Sequence, residues 1–297
     1  MIYEEYDFEL LREYLLQKVS VVFVGKDNND IRTQYVRNIF SKKTLIEIDY
    51  NSDMFELILG TNEVNCKMGE ISSEIEKLVP SKISNDVILF DITSMKHTVI
   101  MGLVNALFKN IKPSKLFATY VVPDDYIKNN DNYEFTESVG SPECVECYVK
   151  HPNEETILIA FLGFEGGRMK KIISDETYLR KYPIFGFPSK NPIWRFTSLR
   201  MCMDDIDKNE PYESCGSHSV FGAYETIKEI SELEINSGKP LMLAPLGTRP
   251  HTLAASIYAS KKECGMMYDF PEEKRERAKG IKNTIVFHLS DFLMESL

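Results

Sequence analysis

Two hydrophobic rhythms share this chain: short unbroken apolar runs, and stripes recurring every three or four residues. The first marks strands buried on both faces, the second amphipathic helices. Phe8, Leu11, Leu15 and Leu16 form a stripe that predicts a helix over 3–17, and the run Val19 to Val24 predicts a buried strand. Asp30 or Asn29 then suits the cap of a helix reaching Phe40, which carries Arg32 and Arg37. Further strands are expected over 44–50, 87–91 and 116–122. Helices are expected over 71–78 and 96–109, the latter with Val99, Leu103, Ala106 and Leu107 turned inward.

The rhythm breaks at Pro123. Residues 123–155 are rich in Asp, Asn, Pro and Glu and read as a loop or hairpin excursion. Alternation resumes with strands over 157–163 and 182–187, a helix through Met169 and Ile173, and a helix over 218–235. Strands over 241–245, 265–270 and 284–289 follow. The pattern predicts an α/β protein, Rossmann-like, with a mostly parallel sheet, helices on both faces and two lobes. The segments are 1–122 as an N-terminal Rossmann-like lobe, 123–155 as the excursion, and 156–297 as a C-terminal Rossmann-like lobe.

At 297 residues the chain is long enough for such a core, and its 43% hydrophobic and 27% charged shares are those of a globular protein. No apolar run approaches the roughly 20 residues of a membrane span, and the acidic start lacks a secretory signal. A cytoplasmic protein without a membrane partner is expected. The net charge of −10 excludes a large nonspecific nucleic-acid surface but leaves room for a small nucleotide. Six scattered cysteines read as reduced thiols. Cys144-x-x-Cys147 with His151 is half a zinc site, and no second pair completes it, so no metal is expected. No pattern calls for a cofactor, and the oligomeric state is left open, a homo-oligomer included.

In open parallel sheets ligands bind beyond the carboxyl ends of the strands. Four such ends carry small or polar groups: Gly25-Lys26-Asp27, Asp91-Ile92-Thr93-Ser94, Gly163-Phe164-Glu165-Gly166-Gly167-Arg168, and Gly247-Thr248-Arg249-Pro250-His251. Pro188-Ser189 and Asp269 add two more. All are expected on one edge, with Asp91, Glu165 and Thr248 in one cleft. The last of the four ends a strand and opens a helix near Pro250, a residue suited to a first helical turn. Its backbone N–H groups and the positive helix end lie beside Thr248, Arg249 and His251, a place for a phosphate. This turn is expected to be exposed. The candidate ligand-binding residues are Thr93, Ser94, Gly166, Gly167, Arg168, Gly247, Thr248, Arg249 and His251. Glu165 and Arg168 can instead pair with each other. Should the chain be an enzyme acting on a nucleotide or nucleoside, Asp91 or Glu165 would serve as base or nucleophile and His251 or His97 as proton carrier. No nucleophile elbow, zincin motif or phosphate loop is present. Trp194 is expected in the core.

The segment Gly247-Thr248-Arg249-Pro250-His251-Thr252-Leu253-Ala254 resembles the Gly-Thr-Lys-Pro-Met turn and helix of the CRISPR-associated Rossmann-fold (CARF) sensor domains. Asp91-Ile92-Thr93-Ser94 loosely resembles a second polar turn of that family. Leu246-Gly247 stands where the family has two glycines, and His251 where it commonly has Met. The resemblance implies a pocket for cyclic oligoadenylates. No fused ribonuclease motif or helix-turn-helix is visible. What it implies is a stand-alone sensor that binds a nucleotide or other phosphorylated small molecule and acts with a separate effector protein in antiviral defence. A scaffold or interaction subunit of a defence complex is the remaining alternative.

Overall fold

A computed structural model describes residues 4–26, 30–51, 53–79, 86–128, 133, 135–148, 150–175, 178–189, 191–202, 212–235, 238–262, 264–273 and 278–294. Asp27 and Asn29 lie outside them.

The chain opens with β1 (Glu4–Asp7), α1 (Phe8–Lys18), β2 (Val21–Gly25), α2 (Ile31–Ile39) and β3 (Thr44–Asn51). There follow β4 (Met54–Leu59), β5 (Asn62–Cys66), α3 (Ile71–Leu78), β6 (Val87–Asp91), α4 (His97–Asn105), β7 (Lys115–Val122) and β8 (Asp125–Tyr126). The next stretch holds β9 (Thr136–Ser138), β10 (Glu143–Cys144), β11 (Ile157–Leu162), α5 (Gly166–Asp175), β12 (Arg180–Gly186) and α6 (Pro192–Cys202). After it come β13 (Glu213–Cys215), α7 (Val220–Ile235), β14 (Leu241–Pro245), α8 (Arg249–Lys262), β15 (Gly265–Tyr268) and β16 (Glu272–Glu273). The chain then runs through β17 (Ala278–Lys279), β18 (Asn283–His288) and α9 (Ser290–Met294).

Two units result: Met1–Tyr126 with Arg275–Leu297, and Ile127–Lys274. The first holds an eight-stranded sheet in the order β1-β18-β7-β6-β2-β3-β4-β5. Its four central strands, β7, β6, β2 and β3, are parallel, and antiparallel strands extend both sides. Every residue of β2 is buried, which is why its sequence is an unbroken apolar run. Phe8 and Leu15 of α1 and Val36 of α2 pack into one core with Val22, Val24, Phe117 and Val286. Asp30 caps α2, accepting from the Arg32 N–H at 3.0 Å, and its carboxylate also holds the buried Arg32 guanidinium at 2.7 Å.

The second unit holds a six-stranded sheet in the order β10-β15-β14-β11-β12-β13. All its neighbours are parallel except the short edge strand β10. A ladder between β9 and β16 joins its two ends, and a ladder between β8 and β17 stands beside it in the chain, within the first unit.

The architecture is thus mixed α/β with mostly parallel sheets, and it corrects three expectations. The strand ends fall on two separate large sheets rather than on one edge: Asp91 ends β6 in the first, while Glu165 and Thr248 follow β11 and β14 of the second. The segment expected as one lobe, 156–297, is divided, because β18 completes the first sheet between β1 and β7. The predicted helix over 3–17 begins only at Phe8, since Glu4–Asp7 pairs with β18 and Asp7 caps α1.

Candidate functional site

In the first unit the strands around β2 diverge towards β3 on one side and β6 on the other. The carboxyl ends of β2 and β6 carry Gly25 and the 91–95 turn, but these groups hold each other. The Gly25 N–H donates to Ser94 Oγ at 2.8 Å, and Ser94 Oγ donates to the Asp91 carbonyl at 3.0 Å. A Cβ on Gly25 would lie 2.1 Å from the Ser94 carbonyl oxygen, so only glycine fits. Thr93 Oγ1 accepts from the Val121 N–H at 2.8 Å, and the fully buried Asp91 accepts from the Thr93 N–H at 3.1 Å. Asp91, Thr93 and Ser94 thus tie β6 to its neighbours. His97 is buried at the start of α4, and Lys96 before it pairs with Asp49 at 3.0 Å.

In the second unit the divergence falls between β11 and β14. Their aligned carboxyl ends lead into the 163–165 and 246–248 turns. The two turns touch: a Cβ on Gly163 would meet the Leu246 carbonyl oxygen at 2.9 Å, and one on Gly247 the Leu162 carbonyl oxygen at 3.3 Å. Thr248 stands at the cap of α8. Its hydroxyl donates to the Ser217 carbonyl at 2.7 Å and lies 3.5 Å from the His251 N–H, which joins the β14 turn to the loop after β13.

His251 fills the space beneath this junction. It has no solvent exposure and stacks on Phe161 with centroids 4.9 Å apart. Nδ1 lies 3.4 Å from the Thr248 N–H, and Nε2 is 3.1 Å from the Gly216 carbonyl, which fixes a neutral ring with the proton on Nε2. Burial pulls its pKa down to about 4, partly opposed by the Gly216 carbonyl. At neutral pH it offers no positive charge to a phosphate. Arg249, expected to be exposed, is buried at 8% exposure, because α8 is covered along most of its length. Gly247 and Thr248 keep partial exposure.

Glu165 and Arg168 do not pair with each other. Glu165 Oε1 accepts from the Phe135 N–H, the Thr136 N–H and the Thr136 hydroxyl at 2.8–2.9 Å, so it anchors the chain leading into β9. Arg168 forms a bidentate pair with Asp269 at 2.8 and 2.6 Å and lies 5.4 Å from the Tyr268 ring centroid. Burial opposes its charge, but Tyr268 and the Asp269 carboxylate hold its pKa above the ordinary arginine range.

The start of α5 is also occupied. A Cβ on Gly166 would lie 1.8 Å from the Met201 carbonyl oxygen, so the carbonyl end of α6 meets the amino end of α5. That contact complements the dipole of α5 where a phosphate was expected. Gly167 is exposed, with nothing within 4 Å of an added Cβ. Trp194 on α6 is buried, as expected, and donates from Nε1 to the Tyr133 hydroxyl at 3.1 Å.

Elsewhere, Cys144 Sγ is 3.4 Å from the Lys150 carbonyl and 3.8 Å from His151 Nδ1. Among the described residues no group of three His, Cys, Asp or Glu side chains is placed to hold a metal, and no helix is long and apolar enough to cross a membrane.

No protein-family model matches this chain, and no curated protein matches it either. The chemistry of its sites therefore stands on geometry alone.

Two features at the β11–β14 edge escaped the sequence pattern. One is α6, whose carbonyl end closes the amino end of α5. The other is the 215–217 loop, whose Gly216 and Ser217 carbonyls orient His251 and Thr248. Ser217 and Gly216 stand before a predicted helix, a weak signal for a capping loop.

Proposed function

We propose that this chain is a Rossmann-like nucleotide-binding protein whose ligand sits at the carboxyl edge of the second unit. The observation that carries it is strand order. Taken in chain order, β13-β12-β11-β14-β15 is 3-2-1-4-5, the order of dinucleotide-binding sheets, and the β11–β14 gap is the point where crossovers part. The partly exposed Gly247 and Thr248 stand there at the amino end of the fourteen-residue helix α8. A phosphate would meet the backbone of this turn, with Arg249 and His251 shaping it from beneath.

The turn is also the segment that resembles the CARF family, which extends the proposal to a cyclic-oligonucleotide sensor acting with a separate effector in antiviral defence. The family's Met position falls on the fully buried His251, whose neutral ring is stacked on Phe161 and faces the Thr248 N–H and the Gly216 carbonyl with its two nitrogens.

Binding is favoured over catalysis because Glu165, His251 and Asp91 each already hold backbone groups in place. The test is calorimetry of the full chain against a nucleotide panel that includes cyclic oligoadenylates. At least one nucleotide should bind, and Arg249→Ala should weaken it. A panel with no binder at millimolar concentration would end this proposal and favour a scaffold.

A further inference from the structure

The six cysteines fall into two classes. Cys66, Cys202, Cys215 and Cys264 are buried, at 1–7% exposure. Burial pushes the Cys66 and Cys264 thiols up to about 11 and the Cys215 thiol up to about 12, so they stay protonated and inert at neutral pH. Cys144 and Cys147 are half-buried instead, and only Val145 and Glu146 separate them.

The chain turns between these two. Cys144 ends β10, and the Val145 N–H donates to the Met266 carbonyl at 2.9 Å, which fixes the strand to this point. The Tyr148 N–H then donates to the Val145 carbonyl at 2.8 Å, closing a single 3₁₀ turn, Glu146–Tyr148, that carries Cys147. The Tyr148 hydroxyl, 3.1 Å from Ser260 Oγ and 3.3 Å from the Ser256 carbonyl, pins the far end of the turn to α8. A disulfide needs Cα atoms within about 7 Å, which a two-residue spacer in a turn allows.

Cys144 also has a base beside it. Its Sγ donates to the Lys150 carbonyl at 3.4 Å and lies 3.8 Å from His151 Nδ1. The acidic Glu143 and Glu146 flank the pair and oppose a thiolate, whereas the imidazole favours one by taking its proton. Lys150 and His151 are exposed, so a small oxidant reaches this sulfur from solvent.

We propose that Cys144 and Cys147 form a reversible dithiol–disulfide site that reacts with hydrogen peroxide. Cys144 passes its proton to His151 Nδ1, and the thiolate attacks one peroxide oxygen. The O–O bond breaks, and the departing hydroxide recovers the proton from His151 and leaves as water. Cys144 is then a sulfenic acid. The Cys147 sulfur attacks the Cys144 sulfur, the S–O bond breaks, and a second water leaves with the Cys147 proton. The two thiols together lose two electrons and one peroxide becomes two waters. The bond ties the end of the edge strand β10 to the turn that follows it.

The test exposes the reduced full chain to hydrogen peroxide, blocks remaining thiols with N-ethylmaleimide in denaturant, and maps the peptides by mass spectrometry. The peptide with Cys144 and Cys147 should become two hydrogens lighter and take no maleimide, roughly tenfold or more faster than any buried cysteine is lost. Dithiothreitol should restore it. Cys147→Ser should stop Cys144 at the sulfenic acid, which dimedone traps. His151→Gln should slow the oxidation several-fold without moving the thermal melt, because the ring is exposed. Buried cysteines oxidising as fast as the pair, a disulfide that joins two chains on a non-reducing gel, or Cys144 and Cys147 each passing to sulfinic acid without pairing would overturn the proposal. An oxidation rate unchanged in His151→Gln would remove the histidine from it.

Discussion

Replacing Asp269 by Asn should unfold the second unit far more easily than its conservative chemistry suggests. The Arg168 and Asp269 side chains are 8% and 0% exposed and share two short hydrogen bonds, so solvent screening of the pair is slight. Removing one partner of a buried pair leaves the other charge without compensation, at a cost of about 3–5 kcal/mol. That is a large fraction of the roughly 5–15 kcal/mol that stabilises a typical domain. Arg168→Met should lose a similar amount, because Asp269 is then left buried alone. The double variant Arg168→Met, Asp269→Leu removes both charges together and should recover most of the loss. Urea unfolding followed by Trp194 fluorescence is the assay. Trp194 is the single tryptophan of the chain and is buried in this unit, so its emission reports the right transition. Single variants within about 1 kcal/mol of wild type would show that the pair is solvated and free to meet a ligand.

Three further outcomes are expected. His251 has a folded pKa near 4 against an ordinary 6.5, so between those values the unfolded chain binds the proton and the folded chain does not. Stability should be full above about pH 6.5 and fall as pH drops towards 4, and His251→Met should flatten that part of the pH–stability curve. Gly166→Ala should cost about 1–3 kcal/mol, since its Cβ meets the Met201 carbonyl, whereas Gly167→Ala has open space and should stabilise α5 by about 0.5–1 kcal/mol. Chemical denaturation separates the two, and equal effects would mean that α6 does not abut α5. Glu165→Ala should leave the Phe135 and Thr136 N–H groups without their acceptor, and hydrogen exchange there should quicken markedly while α8 amides are unchanged.

The buried strands were legible because a strand covered on both faces must be apolar throughout, as β2, β11 and β14 are. The helix α6 was hidden for the opposite reason. Its inner face includes Ser198 and Cys202 while its outer face shows Ile193 and Phe196, so no apolar stripe points to the core. The β4–β5 hairpin was missed because β5 is mostly exposed and has little hydrophobic signal. At the candidate site, the strand-end positions of Glu165 and Thr248 were visible in the pattern of runs and turns. Their partners were not. Arg168 meets a residue 101 positions away and Glu165 one 29 positions away, and local spacing holds no record of such contacts. The same holds for His251, whose dry surroundings are supplied by Phe161 of β11 and by Gly216 in the loop after β13.

The ladder between β9 and β16 sets the order in which the chain can economically assemble. The first sheet needs β18 beside β7, yet 160 positions separate Val122 from its partner Asn283, taking 283 − 122 − 1 residues between them. Closing so long a flexible loop costs about 4–5 kcal/mol beyond a constant term, by the logarithmic law for chain closure. If the second unit folds first, its own terminal strands bring Ser138 opposite Glu272, and the loop left to close is short. Folding of 127–274 then acts as an internal clamp that lowers the entropic barrier to pairing β18 with β7. A destabilised second unit should accordingly slow completion of the first, although no residue of that first sheet has changed.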